Sequence, residues 1–92
     1  MSTFDWLTAT PIAHRALHDG NKTRYENSLS AFGAAADAGF AIECDLHISS
    51  DGVPIVFHDW TLDRLTNETG LVRDRSAKEL RKIKLGSSTD AI

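Results

Sequence analysis

Glu43 and Asp45, two residues apart, and histidines at positions 14 and 58 are the groups in this sequence best suited to chemistry. The carboxylates lie in Ala41–Ile48, where Ile42, Cys44, Leu46 and Ile48 alternate with Glu43, Asp45 and His47. A period of two predicts a strand with the three polar side chains on one face. Two carboxylates on one side of a strand can hold a hard divalent cation, which takes oxygen ligands. The same alternation also suits a strand whose polar face meets only water. His14 closes the short apolar run Pro11-Ile12-Ala13 and precedes Arg15. A histidine at a strand end beside an arginine suits acid–base work on a phosphate, although a plain surface pair reads the same way. His58 closes a second run, Pro54-Ile-Val-Phe-His58, after Ser49-Ser-Asp-Gly52. A two-residue Asp51-Gly52 turn would set Asp45 opposite His58 and His47 opposite Val56. Glu43, Asp45, His47 and His58 would then share a face, and a bulge at Pro54 would undo that register. Asn27 reads first as a helix cap, His18 as a loop residue and His47 as a rim residue. Cys44 is expected on the apolar face as a small buried hydrophobe. Trp6 and Trp60 are open between core and pocket lining.

The elements that must carry these groups follow from the rest of the pattern. The strand at 11–14 leads into a polar loop at 18–24. Leu29, Phe32, Gly33, Ala36 and Phe40 then fall at helical spacing, which predicts a helix over 26–40. Its alanines favour close packing on a sheet, and Gly39 supplies the stop. After the two strands, 61–75 reads as loop. Ser76-Ala-Lys-Glu79 is a capping box, and Leu80 and Ile83 add an apolar stripe for a helix of two to three turns. Residues 86–92 carry no structural signal. Strand, helix, strand, strand, helix is the start of an α/β chain.

Composition bounds the function. The 92 residues carry 10 Lys+Arg against 13 Asp+Glu, a net charge of −3, with 41% hydrophobic and 25% charged residues. That is ordinary globular composition, and its mild acidity argues against a nucleic-acid partner. The single cysteine excludes an internal disulfide framework and a Cys-based zinc cluster. No apolar run is long enough for a transmembrane segment. The N-terminus lacks a basic start followed by an apolar core, so the expected compartment is the cytoplasm. The Asn-x-Thr matches at 21 and 67 read as chance.

Taken in order, these residues resemble the N-terminal part of the glycerophosphodiester phosphodiesterases. The matching pieces are Ile12-Ala13-His14-Arg15, Glu26-Asn27-Ser28 with Ala31-Phe32, Gly39-Phe40, and Ile42-Glu43-Cys44-Asp45-Leu46. Asp51-Gly52-Val53-Pro54, Val56-Phe57-His58-Asp59, Leu62-Asp63-Arg64-Leu65-Thr66, Gly70-Leu71-Val72 and Glu79-Leu80 follow. Three positions depart: Ala16, Tyr25 and Ser28 stand where the family usually has Gly, Pro and Thr. The resemblance implies a TIM (β/α)8 barrel of the phospholipase C-like phosphodiesterase type. Such barrels need about 250 residues, so the chain is expected to be a truncated N-terminal third. Residues 1–10 would be an N-terminal segment and 11–92 a partial barrel domain. The resemblance also implies that His14 and His58 act as general acid and base. It implies that Glu43 and Asp45 bind one divalent cation, Mg²⁺ or Ca²⁺, and that Arg15 and Asn27 contact substrate. A third metal-binding Glu would come from a later strand.

The expected function is metal-dependent hydrolysis of glycerophosphodiesters to sn-glycerol 3-phosphate and an alcohol by the full-length parent, the 92-residue chain alone being inactive. Two other readings stay open. One is a non-enzymatic metal- or partner-binding module, and the other a phospholipase-type enzyme acting on another lipid headgroup. The expected partner is a small-molecule glycerophosphodiester, with self-association through open sheet edges.

Overall fold

A computed structural model describes residues 11–92. Its first unit is a parallel strand pair joined through a helix. Strand β1 (Ile12–His14) runs beside β2 (Ala41–Glu43), with His14 paired to Glu43 at the C-terminal end of both. Parallel neighbours need a crossover, and helix α1 (Leu29–Ala38) supplies it. Ser28 caps α1: its Oγ accepts a hydrogen bond from Ala31 N at 3.1 Å, so the cap is Ser28 and not Asn27. Gly39 ends the helix in the left-handed region at φ 74°, as expected from its position. The buried face of α1 differs from the sequence expectation. Ala31 and Ala35 are fully buried, whereas Leu29 is 79% exposed and Gly33 and Ala36 face outward. Two alanines one turn apart let the helix backbone come close to the strands, which larger side chains would hold away.

The expected continuous strand over 41–48 is interrupted at Cys44–Asp45. Its second part, β3 (Leu46–Ile48), belongs to a separate antiparallel pair with β4 (Pro54–Val56). The period of two persists across the break, but burial is inverted. Glu43, Asp45 and His47 are half-buried, while Ile42, Leu46 and Ile48 are exposed. Cys44 is likewise exposed, contrary to its expected place in the core. The polar row turns toward the loops that carry Arg15, Asn27 and Trp60, and the apolar row stays largely exposed.

The hairpin register also needs correction. Leu46 pairs with Val56, His47 with Ile55 and Ile48 with Pro54, so His47 does not face Val56 and Asp45 falls opposite Phe57 rather than His58. The loop has three residues, Ser50-Asp51-Gly52. Gly52 N donates to Ser49 O at 3.0 Å and Ser49 N to Val53 O at 2.9 Å. This is a type I turn closed by a left-handed glycine, with Gly52 at φ 81°. The Asp51 carboxylate is committed to Ser49 Oγ and to Ala77 N, which holds it inside that turn. The hydrogen bonds to both keep the Asp51 carboxyl below its ordinary value.

The core lies beneath the hairpin. Ile55, Phe57, Leu62, Leu65, Val72, Ala77, Leu80, Ile83 and Leu85 form one buried cluster. A 3-10 turn at Val72–Asp74 brings in Val72. Helix α2 (Ala77–Leu80) is one turn long, shorter than expected, and Ser76 caps it by accepting from Glu79 N at 3.2 Å. Beyond it the chain is tied down rather than featureless: Lys84 bridges to Ala91, and Ile92 N donates to Ile83 O at 3.0 Å. Trp60 is 66% exposed, and Trp6 lies outside the described residues. Among the described residues no helix is long and apolar enough to cross a membrane.

Candidate active site

The site begins with the turn after β1. Arg15 and Ala16 both occupy the left-handed region, at φ 56° and 66°. For non-glycine residues this conformation costs roughly 1–2 kcal/mol each. The surroundings hold it in place: Ala16 N donates to both Ala13 O and Glu43 O, at 3.2 and 3.1 Å, and Asn27 N donates to Arg15 O at 2.8 Å. The turn sets Arg15 N on Glu43 Oε1 at 3.1 Å, while His14 Nε2 lies 4.0 Å from that same oxygen. Asn27, itself at φ 55°, donates from Nδ2 to Asp45 Oδ2 at 3.2 Å. Its Oδ1 is buried without a hydrogen-bond partner.

Arg15 is the hub. Its Nε lies 3.8 Å from Asp45 Oδ2 and is buried without a hydrogen bond of its own. Nη1 donates to Glu26 Oε2 at 3.3 Å, and Nη2 stands 3.0 Å from His58 Nε2. On the other side of the ring, His58 Nδ1 lies 2.7 Å from Asp59 Oδ1. Arg64 then bridges two carboxylates. It donates to Glu26 by two bonds of 2.9 Å and to Asp59 by bonds of 2.9 and 3.1 Å. Glu26 is 2% exposed and is further fixed by Asn21, whose Nδ2 donates to Oε1 at 2.9 Å.

Electrostatics follow from this pairing. Burial alone would raise the Glu26 carboxyl, but the hydrogen bonds from Arg64 and Asn21 outweigh it and hold it below its ordinary value. The Arg64 hydrogen bonds, opposed by partial burial, bring Asp59 down to about 2. Arg64 is raised in turn, by Asp59 first and then by Glu26. A carboxylate depressed in the folded state adds stability above its unfolded pKa of about 4, and that stability is lost as the pH falls through the folded value. Unfolding free energy is therefore expected to drop between about pH 4 and about pH 2. Denaturant titrations across that range should show a shallower drop in Asp59→Asn. Equal slopes in wild type and variant would contradict the assignment.

All six residues singled out from the sequence meet here. His14 reaches Glu43, Arg15 and Asn27 reach Asp45, and His58 joins through Arg15 rather than by cross-strand pairing with Asp45. His47 lies below the site, its Nε2 2.7 Å from His58 O and its ring edge-on to Trp60 at 4.7 Å. His18 stays in the loop, where Nδ1 accepts from Gly20 N at 3.0 Å. Sequence reasoning missed Glu26, Asp59 and Arg64 as members of the network. Their signal was their place in the segments that carry the resemblance, Glu26-Asn27-Ser28, His58-Asp59 and Leu62-Asp63-Arg64, to which no role was attached. Among the described residues no group of three or more His, Cys, Asp or Glu is gathered around one ion position. The carboxylate oxygens of Glu43 and Asp45 and the unpartnered Oδ1 of Asn27 are nonetheless the donor type that a hard cation takes.

Comparison with known proteins decides the family. The profile of the Glycerophosphoryl diester phosphodiesterase family matches residues 14–91. The chain belongs to the glycerophosphoryl diester phosphodiesterase family. It is 41% identical over 73 residues to glycerophosphodiester phosphodiesterase 1 of Bos taurus, covering 78% of this chain and 21% of that protein. It is 40% identical over 76 residues to the glycerophosphodiester phosphodiesterase of Caldanaerobacter subterraneus, covering 82% of this chain and 30% of that one. Among solved structures, an Oleispira antarctica phosphodiesterase in complex with its product sn-glycerol-3-phosphate superposes with a TM-score of 0.73 and 34% identity. That match covers 89% of this chain and 33% of the other. A glycerophosphodiester phosphodiesterase of Agrobacterium tumefaciens gives a TM-score of 0.71 at 38% identity, covering 82% and 32%. The chain thus spans between a fifth and a third of the length of these relatives. Its mixed α/β fold is that of the corresponding part of the solved family structures. Ala16, one of the three positions at which the sequence departs from the expected pattern, takes the left-handed region at φ 66° beside Glu43.

Proposed function

We propose that this chain is the N-terminal third of a (β/α)8-barrel phosphodiesterase. The enzyme would cleave soluble glycerophosphodiesters to sn-glycerol 3-phosphate and an alcohol. The observation that carries this reading is the convergence of His14, Arg15, Glu43, Asp45 and His58 where the parallel strands end. Barrel enzymes place their chemistry at that end of the strands. The exposed row of Ile42, Leu46 and Ile48 supports the barrel reading, since barrel strands are packed on both faces. In isolation the 92 residues lack the remaining strands and are proposed to be inactive.

Glu43 and Asp45, with Asn27 Oδ1 beside them, would hold one divalent cation, Mg²⁺ or Ca²⁺. Such an ion neutralises a phosphodiester and makes phosphorus more open to attack. The chain's own groups do the rest. The Arg15 guanidinium, held between Asp45 and Glu26, would donate to a phosphate oxygen. Arginine has no acceptor, so its bond to His58 Nε2 requires an unprotonated Nε2, with the proton on Nδ1 facing Asp59. That is the form of a general base, and His58 takes a proton from water or from the neighbouring glycerol hydroxyl as Arg15 turns to the phosphate. His14, with its side chain 69% exposed beside Glu43, carries the proton for the leaving alcohol.

Calorimetric titration of the protein that carries this chain with Mg²⁺ and with Ca²⁺ tests the cation site. Saturable binding of at least one ion is expected, and Asp45→Ala should eliminate it. Binding that survives Asp45→Ala, or no saturable binding of either ion, would overturn the assignment.

A further inference from the structure

The hydrogen bonds around His58 form a closed ring. His58 Nδ1 meets Asp59, Asp59 meets Arg64, Arg64 meets Glu26, Glu26 meets Arg15, and Arg15 returns to His58 Nε2. We infer that Arg64 is a positioning residue: it clamps Asp59 to buried Glu26 and so holds His58 in its Nδ1–H tautomer, with Nε2 turned to the site. This rests on the proposed acid–base role of His58 and extends it to a residue that touches no reacting atom.

The argument is geometric. His58 lies two residues beyond the end of β4 and is exposed, so the strand does not fix its ring. Asp59 is its chain neighbour and could take several rotamers. Arg64 removes that freedom by gripping both Asp59 oxygens, Nε on Oδ2 at 2.9 Å and Nη2 on Oδ1 at 3.1 Å. The other edge of the guanidinium grips both oxygens of Glu26, which is immobilised by Asn21 and Arg15. Two arginines and two carboxylates balance in charge. Only a planar, multi-donor fork serves two carboxylates at once; a lysine ammonium is a single point charge. The tautomer matters because only an unprotonated Nε2 can accept a proton from substrate.

The test is the ring-nitrogen NMR signature of His58 in the uniformly ¹⁵N-labelled protein that carries this chain, where protonated and unprotonated ring nitrogens have distinct shifts. Wild type is expected to show Nδ1 protonated and Nε2 bare. Arg64→Lys and Asp59→Asn are each expected to convert this to a mixture of tautomers while the backbone spectrum stays dispersed. A merely structural role would lower the folded fraction without changing the tautomer in the molecules that fold. An unchanged Nδ1–H tautomer in both variants would overturn the proposal. If Arg64→Lys does not fold, Asp59→Asn alone decides by the same criterion. In the protein that carries this chain, Arg64→Lys should lower kcat on the order of 10–100-fold with little change in KM, as for residues that orient a functional histidine through its partner. The tautomer measurement needs no turnover. Loss of the phosphodiesterase reading, seen as full activity in His58→Ala, is therefore distinguishable from loss of the Arg64 proposal.

Discussion

His58→Ala, made in the protein that carries this chain, is expected to lower kcat for a glycerophosphodiester by about 10²–10⁴-fold, with KM within a few-fold of wild type. The His58 imidazole presents its Nε2 lone pair at Arg15, where a proton acceptor would act on the substrate. Removing it leaves Arg15 held by Glu26 and Asp45, so ground-state binding should persist while the proton transfer is lost. His14→Ala should cause a loss of similar size. Both histidines are exposed, so neither substitution removes core packing. Melting curves within a few degrees of wild type would confirm that the loss is chemical. Retained turnover in either variant would remove that histidine from the mechanism.

Phe57→Ala is expected to have the largest effect on stability. Phe57 is 1% exposed in the middle of the core, and its amide holds Asp45 O at 2.9 Å. Buried Phe→Ala changes cost about 3–5 kcal/mol. A 92-residue chain has only about 5–14 kcal/mol in total at the usual per-residue range. The variant should therefore sit close to its unfolding midpoint, and the strand end beside His58 should loosen with it. Urea unfolding followed by tryptophan fluorescence measures this directly. A change below about 1 kcal/mol would place Phe57 outside the cooperative core, contrary to the usual cost of such truncations.

What the sequence made legible, and what it did not, divides along physical lines. The period of two over 41–48 predicted which side chains share a face, because alternation is a local property of extended backbone. It did not predict which face is buried, because that depends on what packs over it; here the polar row turns inward and the apolar row is left exposed. The hairpin was placed correctly, but its register is shifted by one. Asp51 is held by Ala77, 26 residues away, and a long-range bond of that kind leaves no trace in a dipeptide. Ser76-x-x-Glu79 was readable as a cap because capping is local, yet the helix behind it stops after one turn. Gathering of the six site residues was foreseeable only in outline. His58 and Asp45 do share a site, but they are joined through Arg15 in a left-handed turn rather than across the strands. Glu26, Asp59 and Arg64 stand in segments that carry the resemblance, but their pairing joins distant positions, and only the fold reveals that they close a ring around His58.

The most direct test is product analysis with the protein that carries this chain, incubated with a soluble glycerophosphodiester and Mg²⁺ or Ca²⁺. Release of sn-glycerol 3-phosphate and the free alcohol, abolished by chelation of the cation, is the predicted result. No cleavage with either cation, or cleavage that leaves the phosphate on the alcohol, would contradict the assignment of this site to glycerophosphodiester hydrolysis.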